Sequence, residues 1–111
     1  ETGLLENESQ KIELCGCSQR AGAEYVKTST GFGFIKGSDG SLQSTGATQD
    51  DIRLMRKHFS RGVKASGGIR SLADAQAFID LGASRLGTSS TESLVKEERG
   101  NETSAESNTG Y

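Results

Sequence analysis

Gly22-Ala23-Glu24-Tyr25-Val26-Lys27-Thr28-Ser29 and Gly82-Ala83-Ser84-Arg85-Leu86-Gly87-Thr88-Ser89 carry Gly, Ala, Thr and Ser at matching positions. In both stretches the glycine follows a segment of helical periodicity, a short run that can form a strand comes next, and the run ends in a polar Thr-Ser loop. A unit of helix, Gly-Ala, strand and Thr-Ser that recurs along a chain is an internal repeat. Helices alternating with short strands imply parallel strands joined by right-handed crossovers.

Outward from these stretches the same alternation continues. Glu8 to Ala21 is expected to be a helix with Ile12, Cys15 and Gln19 on one stripe and Gly22 as its stop. The strand Glu24 to Thr28 then feeds a long loop from Phe32 to Gly46, rich in Gly, Ser, Thr and Asp, with Ser38-Asp39-Gly40 as a turn. Thr48-Gln49-Asp50-Asp51 has the form of a capping box and starts a second helix, with Ile52, Met55 and Phe59 buried, Arg53, Arg56 and Lys57 in water, and Gly62 as its end. Val63 to Ser66 is the next strand, running into Gly67-Gly68. Ser71-Leu72-Ala73-Asp74 repeats the capping signature ahead of a third helix whose stripe is Ala75, Phe78 and Ile79, closed by Gly82. A strand over Ser84 to Thr88 and a short helix from Ser89-Ser90-Thr91 complete the ordered part, taken as residues 1–98; residues 99–111 are charged and polar and are expected to form a flexible tail.

The 111 residues are 32% hydrophobic with a net charge of -2, which suits at most one small domain and gives no broad basic surface for nucleic acid. No apolar run approaches the roughly 20 residues that span a bilayer, and no secretion signal is visible at the N-terminus, so a cytoplasmic protein that meets no membrane is expected. Three strands and three helices neither close a barrel nor protect both faces of a parallel sheet. A complete barrel of β/α units takes about 250 residues. The chain, which begins at Glu1 rather than Met, therefore reads as part of a larger α/β protein.

Two groups of residues carry chemistry. Lys27 and Lys64 both sit at the carboxyl ends of their strands. Neighbouring cations depress each other's pKa, which makes a lysine a free-amine nucleophile and suggests Schiff-base chemistry. From spacing alone the same lysines also suit a purely structural place, snorkelling at a strand end or binding a static acid. Gly67, Gly68 and Gly87, with Ser89-Ser90-Thr91 at a helix start, offer freed N–H groups and hydroxyls to a phosphate dianion, or serve as ordinary turns and caps. Gly31-Phe32-Gly33 opens no dinucleotide fingerprint, since Lys36 stands where a third glycine is needed. His58 lies beside Phe59 on a helix, and Cys15 and Cys17 are wrongly spaced for a redox or zinc motif, so neither a metal nor a cofactor is expected. Asn7-Glu8-Ser9 and Asn101-Glu102-Thr103 fit a glycosylation sequon by chance.

Tyr25-Val26-Lys27-Thr28-Ser29-Thr30-Gly31-Phe32, Gly46-Ala47-Thr48, Val63-Lys64-Ala65-Ser66-Gly67-Gly68-Ile69-Arg70 and Gly82-Ala83-Ser84-Arg85-Leu86-Gly87-Thr88-Ser89-Ser90, in this order, closely resemble deoxyribose-phosphate aldolase. The resemblance implies the C-terminal part, about the last three β/α units, of a TIM (β/α)8 barrel, with Glu1-Thr2-Gly3-Leu4-Leu5 at the end of the fifth strand. The implied reaction is reversible cleavage of 2-deoxy-D-ribose 5-phosphate to acetaldehyde and D-glyceraldehyde 3-phosphate without metal. By the same resemblance Lys27 is the Schiff-base lysine, and Lys64 is the second lysine, which lowers the pKa of the first and moves protons. Gly31, Gly67, Gly68, Gly87, Ser89 and Ser90 bind the phosphate, and Tyr111 is a terminal tyrosine on a mobile tail that relays a proton. The family's proton-relay aspartate and first five strands would lie upstream of Glu1, so the implied partner is the N-terminal part of the same barrel, and a homo-oligomer is compatible with it. Phe34 to Thr45 is longer than the compact loop of many members. A half-barrel without activity that persists by self-association is the alternative.

Overall fold

The computed structural model describes residues 1–32 and 34–107. Its first helix, α1 (Glu8–Arg20), is capped by the Asn7 side chain, which accepts from Gln10 N, and stops at Gly22, whose φ of 82° only glycine adopts freely. On its inner stripe Cys15 is buried, while Gln19 is a polar clasp: its amide donates to Ser60 Oγ at 2.7 Å and its carbonyl accepts from Ser60 N at 3.0 Å. Strand β1 (Tyr25–Lys27) follows.

The segment expected to be a plain loop contains a hairpin. Strands β2 (Phe34–Lys36) and β3 (Leu42–Ser44) pair antiparallel around the anticipated turn, where Asp39 Oδ1 accepts from Ser41 N at 3.0 Å and Ser41 Oγ at 2.6 Å. All six strand residues are exposed, so no buried alternation marks them in the sequence.

Helix α2 (Gln49–His58) starts on Thr48, whose hydroxyl accepts from Asp51 N at 3.1 Å. Only this half of the capping box forms. The buried Asp51 carboxylate turns to Lys11 Nζ at 2.7 Å, tying α2 to α1. The helix ends at Phe59, before Gly62, which instead opens β4 (Gly62–Ser66); the Tyr25 ring lies where a β-carbon at position 62 would stand. Arg56, expected in water, is half-buried because its stem packs against Gly82 and its guanidinium donates to Phe59 O.

Helix α3 (Leu72–Asp80) buries Ala75 and Phe78, but Ile79 remains 48% exposed, because no described element covers its side of the helix. The Ser71 hydroxyl caps this helix by accepting from Asp74 N at 3.1 Å. Ser71→Ala is expected to destabilise the fold by about 1 kcal/mol, measured by denaturant unfolding. Strand β5 (Arg85–Gly87) leads into α4 (Thr91–Ser107), which runs on past residue 98 with no break at the boundary expected there. Thr2–Leu4 forms a single 3-10 turn rather than the end of a strand.

Strands β1, β4 and β5 make one parallel sheet in the order β1-β4-β5. Ile52, Met55 and Phe59 of α2, Val63 and Ala65 of β4, and Ala75 and Phe78 of α3 form the core, with Val26 and Leu86 packed against it. Alternation along the strands sends Tyr25, Lys27, Lys64 and Arg85 to the opposite face. There Tyr25, Lys27 and Arg85 are exposed and Lys64 is half-buried. The sheet is thus covered by helices on one side only. Among the described residues no helix is long and apolar enough to cross a membrane.

Candidate active site

The register places Lys27 directly beside Lys64, and Lys64 beside Arg85. Three cations therefore share one level of the open face, and their side chains separate. The Arg85 guanidinium bends toward the amino ends of the strands and stacks on the Tyr25 ring at 4.4 Å. Lys64 leans the other way, its Cε lying near Gly87, two residues closer to the carboxyl end than its strand partner Arg85.

The carboxyl ends of β1 and β4 are locked together by one buried hydroxyl. Thr28 Oγ1 accepts from Ser66 N at 2.9 Å and donates toward Ser66 O at 3.1 Å, while Thr28 N donates to Lys64 O. Beyond this lock three turns cross with backbone against backbone. A β-carbon at Gly67 would stand 2.7 Å from Thr30 C and 2.9 Å from Gly31 N and Gly46 Cα, and one at Gly46 would stand 2.6 Å from Gly67 O. Gly31, Gly67 and Gly68 all have left-handed φ, at 92°, 89° and 77°.

These turns wall a cleft of about 700 Å³. Lys27, Gly31, Gly67, Gly68, Gly87 and Ser89 all line it, so most of the residues singled out in the sequence meet in one place; Lys64 and Ser90 are not on its lining. Ser90 caps the start of α4: its carbonyl accepts from Leu94 N, and its own N–H is taken by Thr88 Oγ1 at 2.9 Å. Only its hydroxyl is left for a ligand. Thr88 in turn donates to Ile69 O at 2.7 Å, fixing this corner to the Gly67-Gly68 turn. Tyr111 lies outside the described residues.

Sequence reading passed over Arg70, Thr30 and Ser66, which also line the cleft. Arg70 is exposed and adds a cation to the glycine turn. Its position directly after Gly67-Gly68-Ile69 is the signal that would have found it. Thr30 holds Glu1: its hydroxyl donates to the carboxylate at 2.6 Å and its N–H at 3.3 Å. The Thr30 hydroxyl keeps the Glu1 carboxyl below the usual carboxylate range against a smaller opposing effect of burial, and the Thr30 amide and the Lys27 charge act in the same direction as the hydroxyl. This tie is fully present above the usual carboxylate range and is lost as pH falls through the lowered value. No group of three or more metal-ligating side chains occurs among the described residues.

A one-sided parallel β/α sheet with its chemistry-bearing residues at the carboxyl ends of the strands is a segment of a (β/α)8 barrel. No protein-family model matches the chain. It is 50% identical over 97 residues to deoxyribose-phosphate aldolase 1 of Vibrio vulnificus, covering 86% of this chain and 39% of the relative. It is 48% identical over 98 residues to the deoxyribose-phosphate aldolase of Natranaerobius thermophilus, covering 86% and 40%. Among solved structures it superimposes on QR15, an aldolase, with a TM-score of 0.77 at 36% identity, over 93% of this chain and 42% of that one. The chain is a homologue of the C-terminal portion of the deoxyribose-phosphate aldolases. It spans about two fifths of the length of the curated relatives it matches.

Proposed function

We propose that the protein carrying this chain is a deoxyribose-phosphate aldolase of the lysine Schiff-base type. It would act in the cytoplasm, in breakdown of deoxyribonucleotide sugars. The observation that carries this reading is the meeting of Lys27 with glycine turns in one cleft, on a chain half identical to named aldolases.

In this reading the Lys27 amine attacks C1 of the open-chain 2-deoxy-D-ribose 5-phosphate, and loss of water gives an iminium. A base removes the proton of the C3 hydroxyl, the C2–C3 bond breaks, and its electron pair flows into the iminium as an enamine. D-glyceraldehyde 3-phosphate departs. Protonation of the enamine at C2 and hydrolysis then release acetaldehyde and restore the amine. Lys64, beside Lys27 in register, serves the proton transfers, aided by Tyr111 and by an aspartate from the N-terminal part of the barrel. Gly31, Gly67, Gly68, Gly87, Ser89, Ser90 and Arg70 hold the phosphate, supplying N–H groups, hydroxyls and one guanidinium.

Release of acetaldehyde from deoxyribose 5-phosphate, compared with other sugar phosphates, tests the reading directly. Preferential cleavage of the deoxy sugar supports it, and equal or absent cleavage contradicts it. Arg70→Ala is expected to raise KM for the phosphate substrate about tenfold while changing kcat much less, as loss of one charge-assisted contact should.

The uncovered inner face and the two unpaired sheet edges, β1 and β5 among the described residues, favour a second reading, a silent half-barrel that self-associates. Size exclusion with intact-mass analysis separates the two. An aldolase part travels with the remaining barrel units, whereas a self-associating half shows one mass in a larger particle.

A further inference from the structure

Gly87 ends β5 in a conformation open to any residue, since its φ is not in the left-handed region. A paired strand position ordinarily favours a β-branched or aromatic side chain, and glycine weakens the strand. The reason for glycine must therefore be space, and the structure shows what fills that space. A β-carbon at position 87 would stand 2.7 Å from Ser66 Oγ, 3.3 Å from Ser66 Cβ and 3.3 Å from Lys64 Cε. Ser66 is buried, and its backbone is held on both sides by Thr28, so it has little freedom to move away. Among the described residues its hydroxyl has no hydrogen-bond partner, and Ser66 lines the cleft.

We propose that Gly87 is a positioning residue for Lys64. Its missing side chain leaves a niche, bounded by the Ser66 hydroxyl, into which the Lys64 side chain extends toward the carboxyl ends of the strands. The role rests on the aldolase reading of Lys27 and Lys64, and it is separate from any contact Gly87 makes with phosphate. A methyl group at position 87 forces the Ser66 hydroxyl to rotate and displaces Lys64 by a few tenths of an ångström at its Cε.

Acetaldehyde separates the two roles because it carries no phosphate. In deuterium oxide, the purified protein carrying this chain should exchange the methyl protons of acetaldehyde by forming the Lys27 enamine and reprotonating it, which NMR follows. Gly87→Ala is expected to slow this exchange about tenfold, the scale on which small misplacements of a reacting group act, whatever it does to KM for deoxyribose 5-phosphate. In a Lys64→Ala background the same substitution should cause no further loss. If Gly87→Ala alone does not fold, the double variant Ser66→Ala/Gly87→Ala removes the closest overlap and should still exchange slowly. Exchange at the unaltered rate in a folded variant, with a raised KM for the phosphate substrate alone, would overturn the proposal and leave Gly87 as a phosphate contact. Absence of exchange in the unaltered protein would overturn the aldolase reading and this role with it.

Discussion

Lys27→Ala is expected, on the proposed Schiff-base reading, to lower cleavage of deoxyribose 5-phosphate by on the order of a thousand-fold or more, because it would remove the covalent nucleophile and with it the pathway rather than one contact. Lys27 is the lysine that lines the cleft, it shares that cleft with the glycine turns, and its strand is pinned to β4 by Thr28. The loss should appear in kcat, with KM little changed, since the phosphate contacts are untouched. Lys27→Arg should be equally inactive: it keeps the positive charge, but a guanidinium does not form the imine. Lys64→Ala should leave a slow reaction, because the nucleophile remains and only proton handling suffers. A Lys27→Arg variant with substantial turnover would show that the charge, and not the amine, does the work.

Gly67→Ala is expected to be the most damaging change to the site's framework, costing about 3 kcal/mol. Two effects combine. The left-handed φ of 89° costs an alanine roughly 1 kcal/mol or more. The added methyl would also meet backbone rather than flexible side chains, at 2.7 Å from Thr30 C and 2.9 Å from Gly46 Cα, and backbone at a strand end pinned by Thr28 cannot yield cheaply. Gly68→Ala is the natural control. Its φ of 77° carries the same conformational strain, but open space surrounds the position, so only about 1 kcal/mol should be lost. Thermal or denaturant unfolding of the two variants gives the comparison. Equal losses would mean that the crossing of the three turns is looser than described.

Of the five strands, β1, β4 and β5 were legible in the sequence, and periodicity was informative only where residues are buried. Ile52, Met55 and Phe59 repeat at helical spacing and all three lie in the core, and Val63 and Ala65 alternate with Lys64 because β4 is covered on one face. The hairpin of β2 and β3 escaped because neither strand buries anything. Spacing alone puts Ile79 in the core, yet burial depends on what stands opposite, and no described element does. The capping box at Thr48 failed in its second half for a tertiary reason, the pull of Lys11 on Asp51. Lysines at strand ends and paired glycines stood out in the sequence as candidates. Which of them share a cleft was not legible, because the crossing of the Thr30, Gly46 and Gly67 turns is a long-range packing fact. Arg70 and Ser66 belong to that cleft through the same packing.

Borohydride reduction in the presence of acetaldehyde, followed by peptide mass analysis, tests the Schiff-base assignment most directly. The expected result is one reduced two-carbon adduct, an N-ethyl group confined to Lys27. An adduct on Lys64 in place of Lys27, or no adduct on a protein that still cleaves deoxyribose 5-phosphate, would contradict it.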